Sequence, residues 1–303
     1  MKRALKRLRY SQPFNRLATA AARSLCRAFG TTPEIFPRHL HRVGDVVEPL
    51  PNGETLKLFS KGDDWVSNLV FWKGWKAYEP GTIDLFYRLA TRAEVVLDIG
   101  AYVGCFTLIA GLANRKARVY AFEPMEAIHR RLVENVARNG LAAAECLNVA
   151  VSDRAGEARF FFSQSALREG LPTSSSLSES FMQGASELAG VDVKVVTIDD
   201  FCSGRSIERV DLVKIDTETT EPSVLRGMKQ TLKRDRPAIV CEVLSGRVDA
   251  NALDAELRPL GYQYFLLTPD GPKVRSAIEG HPEFLNYLFT TRPERDLSDR
   301  SEP

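Results

Sequence analysis

The run Val95-Val96-Leu97-Asp98-Ile99-Gly100-Ala101-Tyr102-Val103-Gly104-Cys105-Phe106-Thr107-Leu108-Ile109-Ala110 decides the fold class of this 303-residue chain. Its first five residues are apolar apart from one acid, three of them β-branched, and too few for a helix of their own, so they predict a buried parallel strand. Gly100 and Gly104 predict a tight turn with close backbone approach, and the apolar residues after them a helix. A second strand is predicted over Arg118 to Phe122. It too ends in an acid, Glu123, at the place where a βαβ nucleotide fold holds a ribose by its hydroxyls.

Two cofactor classes share this geometry. A dinucleotide pyrophosphate asks for G-x-G-x-x-G, whereas here only Gly100 and Gly104 are present, with Ala101 between them. A loop that faces no phosphate has less need of a helix N-terminus aimed at an anion. S-adenosylmethionine presents an amino-acid end, a sulfonium and a ribose, and acids beside the loop complement all three. Asp98 then meets the ammonium directly or through water, and Glu123 accepts both ribose hydroxyls. The stretch favours a methyl donor over a nicotinamide dinucleotide.

Outward from it, apolar strands and amphipathic helices alternate. Met125 to Asn139 reads as a crossover helix stopped by Gly140. Glu145 to Val151 reads as a third strand with Ser152-Asp153 at its carboxyl end, the ligand side of an open α/β sheet; Asp153 reaches an adenine amino group or is a plain turn residue. Ala158 to Phe162 and Val191 to Thr197 read as strands, and the hydroxyl-rich segment between them, 163–190, as a mobile binding loop. Asp211 to Asp216 and Ala238 to Val243 follow as strands closed by Asp216 and Glu242. A helix starts near Pro222, with Glu221 in its first turn as the helix dipole prefers. Tyr262 to Leu267 and Phe284 to Thr290 close the sheet. The sum is a doubly wound, mostly parallel α/β sheet of seven strands over residues 91–292.

Before that domain, residues 31–90 predict a small cap. It holds a hairpin turned by Pro51-Asn52-Gly53 and an aromatic segment with all three tryptophans between Trp65 and Trp75, the sign of core packing or of a ligand wall. Residues 1–30 form a basic amphipathic helix capped by Ser11, with Phe14, Leu17, Ala18, Ala21, Leu25 and Phe29 on one face. Three roles stay open for it: docking on the body or a partner, adsorption to an anionic membrane surface, or a transit peptide. Residues 293–303 are a polar tail.

The net charge of +2 hides an asymmetry. Eight of the 41 basic residues precede the first acid, Glu34, leaving 33 against 39 acidic residues in the rest. A nucleic-acid substrate is therefore not expected. Five scattered cysteines without a C-x-x-C pair suit a reducing cytosol. No apolar run approaches the ~20 residues of a membrane span, so a soluble, cytoplasmic body is expected, with the inner face of a membrane as one place for the helix.

The residues resemble those of the FkbM-type S-adenosylmethionine-dependent methyltransferases, a class I Rossmann-like family, from about Tyr78 to Val243. The likeness rests on Tyr78-Glu79-Pro80, Asp98-Ile99-Gly100-Ala101 with Gly104 and Thr107, Phe122-Glu123-Pro124, Asn135 with Asn139, Ala150-Val151-Ser152-Asp153 with Gly156, Thr197-Ile198-Asp199-Asp200, Lys214-Ile215-Asp216 with Glu218, Glu221, Leu225 and Gly227, and Pro237 with Glu242. It implies methyl transfer from S-adenosylmethionine to a hydroxyl of a small molecule such as a sugar, glycolipid or polyketide. It also adds Glu79, Ala101, Thr107, Pro124 and Ser152 to the expected donor residues. Two positions depart from the family pattern. Tyr102 stands where Asn is usual. Thr219 replaces a glycine, so either the turn is rebuilt or the site is altered.

Asp216, Glu218 and Glu242 end neighbouring strands and are expected to converge. Asp216 or Glu218 is the expected base or acceptor ligand, with Lys214 pairing one of them; a structural ion-pair network is the competing account. No histidine stands near these acids, and no metal is expected. A nicotinamide oxidoreductase and a non-catalytic donor-binding scaffold are the alternative functions.

Overall fold

The computed structural model describes residues 12–292; the predicted Ser11 cap, the basic residues before it and the tail 293–303 lie outside the described residues. Helix α1 (Gln12–Ala28) and the short α2 (Ile35–His39) precede a hairpin of β1 (Val43–Pro49) and β2 (Thr55–Lys61), which leads into α3 (Trp65–Lys73) and α4 (Thr82–Ala90). Then come β3 (Val95–Ile99), α5 (Cys105–Ala113), β4 (Arg118–Phe122), α6 (Glu126–Arg138) and β5 (Ala144–Leu147). A side excursion follows with β6 (Ala150–Val151), β7 (Gly156–Ser163), α7 (Gln164–Glu169), β8 (Ser175–Ser176) and β9 (Leu188–Val196). The chain returns through α8 (Ile198–Gly204), β10 (Leu212–Ile215), α9 (Glu221–Arg226), α10 (Lys229–Asp235), β11 (Ala238–Glu242) and α11 (Ala250–Leu257), and finishes with β12 (Gln263–Thr268), β13 (Gly271–Arg275) and β14 (Asn286–Thr290).

The main sheet runs β13-β12-β14-β11-β10-β3-β4-β5. The five strands from β11 to β5 are parallel, and β14 enters antiparallel between β11 and β12. It is the expected doubly wound α/β sheet, with eight strands rather than seven. The extra one, β13, is a polar edge strand with no apolar alternation to announce it. β3 is buried along its whole length, as its apolar run requires. The order reverses direction beside it, β4 following on one flank and β10 on the other, which opens a crevice at the carboxyl ends.

Two predicted features are corrected. Glu145 to Val151 is not one strand: Asn148 turns its amide onto the carbonyls of Glu123 and Pro124, so the ladder breaks after β5. β6 then pairs with β9 in a separate sheet of order β6-β9-β7-β8, which also takes the strands predicted around 158–162 and 191–197. The segment 163–190 is not a structureless loop but carries α7 and β8.

The hairpin and α3 share one hydrophobic core with α4, α5 and a face of the main sheet. Of the three tryptophans, Trp72 and Trp75 are buried in that core, and the Trp72 indole N–H donates to the Leu40 carbonyl. The free edge of β2 is closed from α6. The side-chain carbonyls of Asn139 and Asn135 accept from the Lys57 and Phe59 amides, while the Asn135 amide donates to the Val103 carbonyl. Leaving such buried backbone groups unpaired would cost roughly 1–3 kcal/mol each, so the two asparagines anchor the cap beside the first glycine loop.

Candidate functional site

The turn after β3 is built by close backbone approach. Gly100 has φ +84°, and a Cβ there would stand 1.8 Å from the Asp216 carbonyl oxygen, so only glycine lets the ends of β3 and β10 meet. The close neighbour of this glycine is thus the next strand. Both the Gly100 and Ala101 amides donate to the Phe122 carbonyl, which ties the turn to the end of β4 as well.

This packing opens a cavity of about 400 Å³ over the carboxyl ends of the parallel strands, within the range that ligand pockets occupy. Glu79, Asp98, Gly100, Ala101, Glu123 and Pro124 line it, together with Lys214, Asp216, Glu218 and Glu242. Gly104 and Thr107 stand behind the loop: the Thr107 hydroxyl donates to the Asp98 carboxylate at 2.5 Å. Ser152 and Asp153 are not in the cavity wall, and Asp153 pairs with Arg226 at 3.1 Å.

On the donor half, Glu123 is buried and oriented by two backbone amides. Its Oε2 accepts from Tyr102 N–H (3.1 Å) and its Oε1 from Met125 N–H (2.8 Å). Burial pushes this carboxyl up to about 8, against the pull of those two bonds. Burial likewise raises Asp98 to about 6. Pro124, Ile128, Val149, Ala150, Val151 and Phe160 make the adjoining wall apolar, a surface fit for a flat base. Ribose hydroxyls, a cationic amino-acid end and an adenine are thus each matched by groups of the right polarity, and the residues fit S-adenosylmethionine.

On the other half, Lys214 is 1% exposed and reaches Asp216 at 3.0 Å, the Asn286 side-chain oxygen at 3.2 Å and Glu79 at 3.6 Å. Its ammonium lies 4.8 Å from the centre of the Phe106 ring. Burial opposes its charge, but Asp216 and then Glu79 overcome that and keep it protonated. Glu242 goes the other way: burial, then the charges of Asp216 and Glu218, lift it to about 10, so it is a neutral acid with a buried, unpaired Oε2. Glu218 is raised to about 8, by burial first and then by Asp216 and Glu221.

Glu221 does more than lie in a helix's first turn. Its Oε1 turns back to accept from Thr217 N–H, the Thr217 hydroxyl and Thr219 N–H, which shapes the loop carrying Glu218. In that loop Glu218 has φ +54° and Thr219 φ +84°. The turn therefore keeps a backbone in which glycine is at ease, and the β-branched Thr219 bears the strain. Thr219→Gly is expected to stabilise the protein by about 1 kcal/mol, read as a rise of a few degrees in Tm; an unchanged or lowered Tm would show that the loop has relaxed around threonine.

Several lining residues come from segments that the sequence marked as a ligand wall, a family block or a binding loop without singling them out. Trp65 and Tyr78 wall the cavity from the cap, and Thr173, Ser175 and Leu177 from segment 163–190. That segment is strapped across the opening. The Tyr102 hydroxyl donates to the Leu171 carbonyl, Leu171 N–H donates to the Asp63 carbonyl, and the Ser176 hydroxyl donates to the Glu218 carbonyl. The residue that departs from the family's asparagine thus holds Glu123 with its amide and the strap with its phenol. The departure from asparagine was the signal available in the sequence: the left-handed backbone there, φ +50°, is one that asparagine tolerates well, so tyrosine asks for a compensating contact.

Comparison with known proteins follows the same lines. The model of the methyltransferase FkbM domain matches residues 98–264, more than half of the chain. The AMB antimetabolite synthetase AmbE of Pseudomonas aeruginosa is 28% identical over 245 residues, which are 68% of this chain and 11% of that protein. The 31-O-demethyl-FK506 methyltransferase FkbM of Streptomyces tacrolimicus is 27% identical over 212 residues, 62% of this chain and 78% of the relative. The 2-O-methyltransferase NoeI of Sinorhizobium fredii is 30% identical over 151 residues, 47% and 60%. The chain therefore spans about a tenth of the first of these relatives and well over half of the other two. On the span of the domain match, the chain belongs to the FkbM methyltransferase family, whose methyl donor is S-adenosylmethionine.

Proposed function

We propose that this protein is an O-methyltransferase that transfers a methyl group from S-adenosylmethionine to a hydroxyl of an uncharged small molecule such as a sugar, glycolipid or polyketide. The observation that carries it is the meeting of Asp98, Glu123, Asp216 and Glu242 in one cavity, each from the end of a different parallel strand, with Glu218 in the loop after Asp216. Two of the named relatives, the FK506 enzyme and NoeI, are O-methyltransferases, which supports a hydroxyl acceptor.

When bound, the donor supplies a methyl carbon activated by its sulfonium. Glu123 is placed to hold the ribose hydroxyls and Asp98 the ammonium. Glu218 takes the proton from the acceptor hydroxyl as the new bond forms. A carboxyl raised to about 8 suits that task near neutral pH, because such a base balances availability against proton affinity. Lys214 engages Asp216 directly, which leaves Glu218 the freer base. Glu242, being neutral, is able to donate a hydrogen bond to the acceptor. The strap from 163–190 shields the reacting groups from water. Among the described residues the single cation of the cavity wall, Lys214, already faces Asp216 and Glu79, so a carboxylate-bearing acceptor would enter without a cationic partner.

The test is thermal shift followed by turnover. S-adenosylhomocysteine is expected to raise Tm, with about 2.7 kcal/mol of stabilisation at a hundred times its Kd, and labelled methyl is expected to pass to neutral glycosides rather than to uronates. A rise with NAD and none with S-adenosylhomocysteine would overturn the proposal. The pH dependence has a definite sign. Between the ordinary carboxyl values of 3.8 to 4.5 and the raised values of about 6 for Asp98 and about 8 for Glu123, the folded state holds more protons than the unfolded chain. Unliganded stability therefore falls as pH rises through that window. The ammonium of S-adenosylhomocysteine favours an ionised Asp98 and its ribose hydroxyls an ionised Glu123, so the shift it gives is expected to grow from pH 5.5 to pH 7.5; a constant shift would separate these two acids from the donor.

A further inference from the structure

Helix α1 docks on the protein by its polar stripe. Asn15 and Thr19 are buried, Asn15 bonding the Val43 amide and the His41 carbonyl and Thr19 receiving Arg42. Arg23 pairs with Glu48, and Cys26 completes the contact. At about 100° per residue, the apolar stripe lies more than a third of a turn away from these residues. It faces solvent: Phe14 is 52% exposed, Leu17 74% and Leu25 58%, with Phe29 at 78% and Ile35 at 62% beyond the helix end. The amphipathic pattern is thus turned outward: the helix docks on the body by its polar stripe, and among the described residues none covers the apolar one.

We propose that this face adsorbs the protein to an anionic lipid bilayer, the apolar stripe entering the headgroup boundary. Charge decides between the candidate occupants. No acid precedes Glu34, and Lys2, Arg3, Lys6, Arg7 and Arg9 come just before the helix in sequence. A second copy would bring two such acid-free, basic segments together. An anionic membrane surface complements them, and a polybasic segment beside an apolar helical face is the two-signal arrangement that gives stable peripheral binding. The arginines within the docked part of the helix do not supply this charge, because Arg16 and Arg23 face Asp45 and Glu48.

The full-length protein is tested by flotation with vesicles of equimolar phosphatidylcholine and phosphatidylglycerol, and with phosphatidylcholine alone. Binding to the mixed vesicles is expected, about tenfold or more weaker to the neutral ones, and weakened by added salt. The double variant Leu17→Glu, Phe29→Glu is expected to lose vesicle binding while keeping its melting temperature and its response to S-adenosylhomocysteine. Exchange of the five basic residues between 2 and 9 for glutamine, which leaves residues 12–28 unchanged, is expected to do the same. Equal partitioning of variants and wild type, or no binding to mixed vesicles, would overturn the proposal. So would concentration-dependent self-association in sedimentation equilibrium that the double variant abolishes, which would assign the face to a second copy. None of these outcomes depends on methyl transfer, so the two proposals stand or fall separately.

Discussion

Replacing Glu123 by alanine is expected to weaken S-adenosylhomocysteine binding by about a hundredfold, measured by titration calorimetry. The carboxylate is held in place by the Tyr102 and Met125 amides. It lines the cavity, and in the proposed function its remaining lone pairs take two hydroxyls of the same ribose. Hydrogen bonds to a charged group contribute about 1.5–3 kcal/mol each, and 1.4 kcal/mol is tenfold in affinity. Two bonds at the low end of that range give about the hundredfold loss. Alanine also strips both amides of their acceptor, so the unliganded Tm is expected to fall as well. Glu123→Gln separates the two effects: it keeps one side-chain oxygen and most of the volume, and should recover stability more than affinity. Undiminished affinity in the alanine variant would remove the carboxylate from donor binding and with it the reading of the whole crevice.

The second large effect is on turnover. Glu218→Gln is expected to lower kcat by about 10²–10⁴, the usual worth of a general base, with the Kd of S-adenosylhomocysteine changed by less than about threefold and the limb near pH 8 lost from the pH–rate profile. Glu242→Gln is the discriminating partner. Burial and the neighbouring Asp216 and Glu218 already keep Glu242 neutral, so a neutral amide of the same shape should cost much less. Asp216→Asn removes the closest partner of a fully buried ammonium, though Glu79 and Asn286 remain beside Lys214; losses in both Tm and kcat are expected. If Glu218→Gln keeps full activity while Glu242→Gln loses it, the roles assigned to these two acids are reversed.

Much of this geometry was legible in the chain because it is local or periodic. The Val95 to Ile99 run, the acids closing successive strands and the 3.6-residue spacing from Met125 to Asn139 all express themselves within a few residues. Other features depend on partners far away in sequence. Asn148 breaks a strand because two carbonyls of another loop lie within reach. Thr107, expected at the donor, faces Asp98 instead. Tyr102 stands where the family usually has asparagine, and its hydroxyl crosses to Leu171 and straps the cavity.

What the sequence by itself determined is the class of fold and the row of acids at the sheet's carboxyl edge, since hydrophobic period and strand-end chemistry are properties of short windows. Only the tertiary structure decided which acid is paired and which are pushed up by burial, because those environments follow from desolvation and from charges brought together across β10, β11 and the cap. It likewise decided that helix α1 turns its apolar face to solvent: the residues show that a face exists, and only packing against β1 shows which way it points.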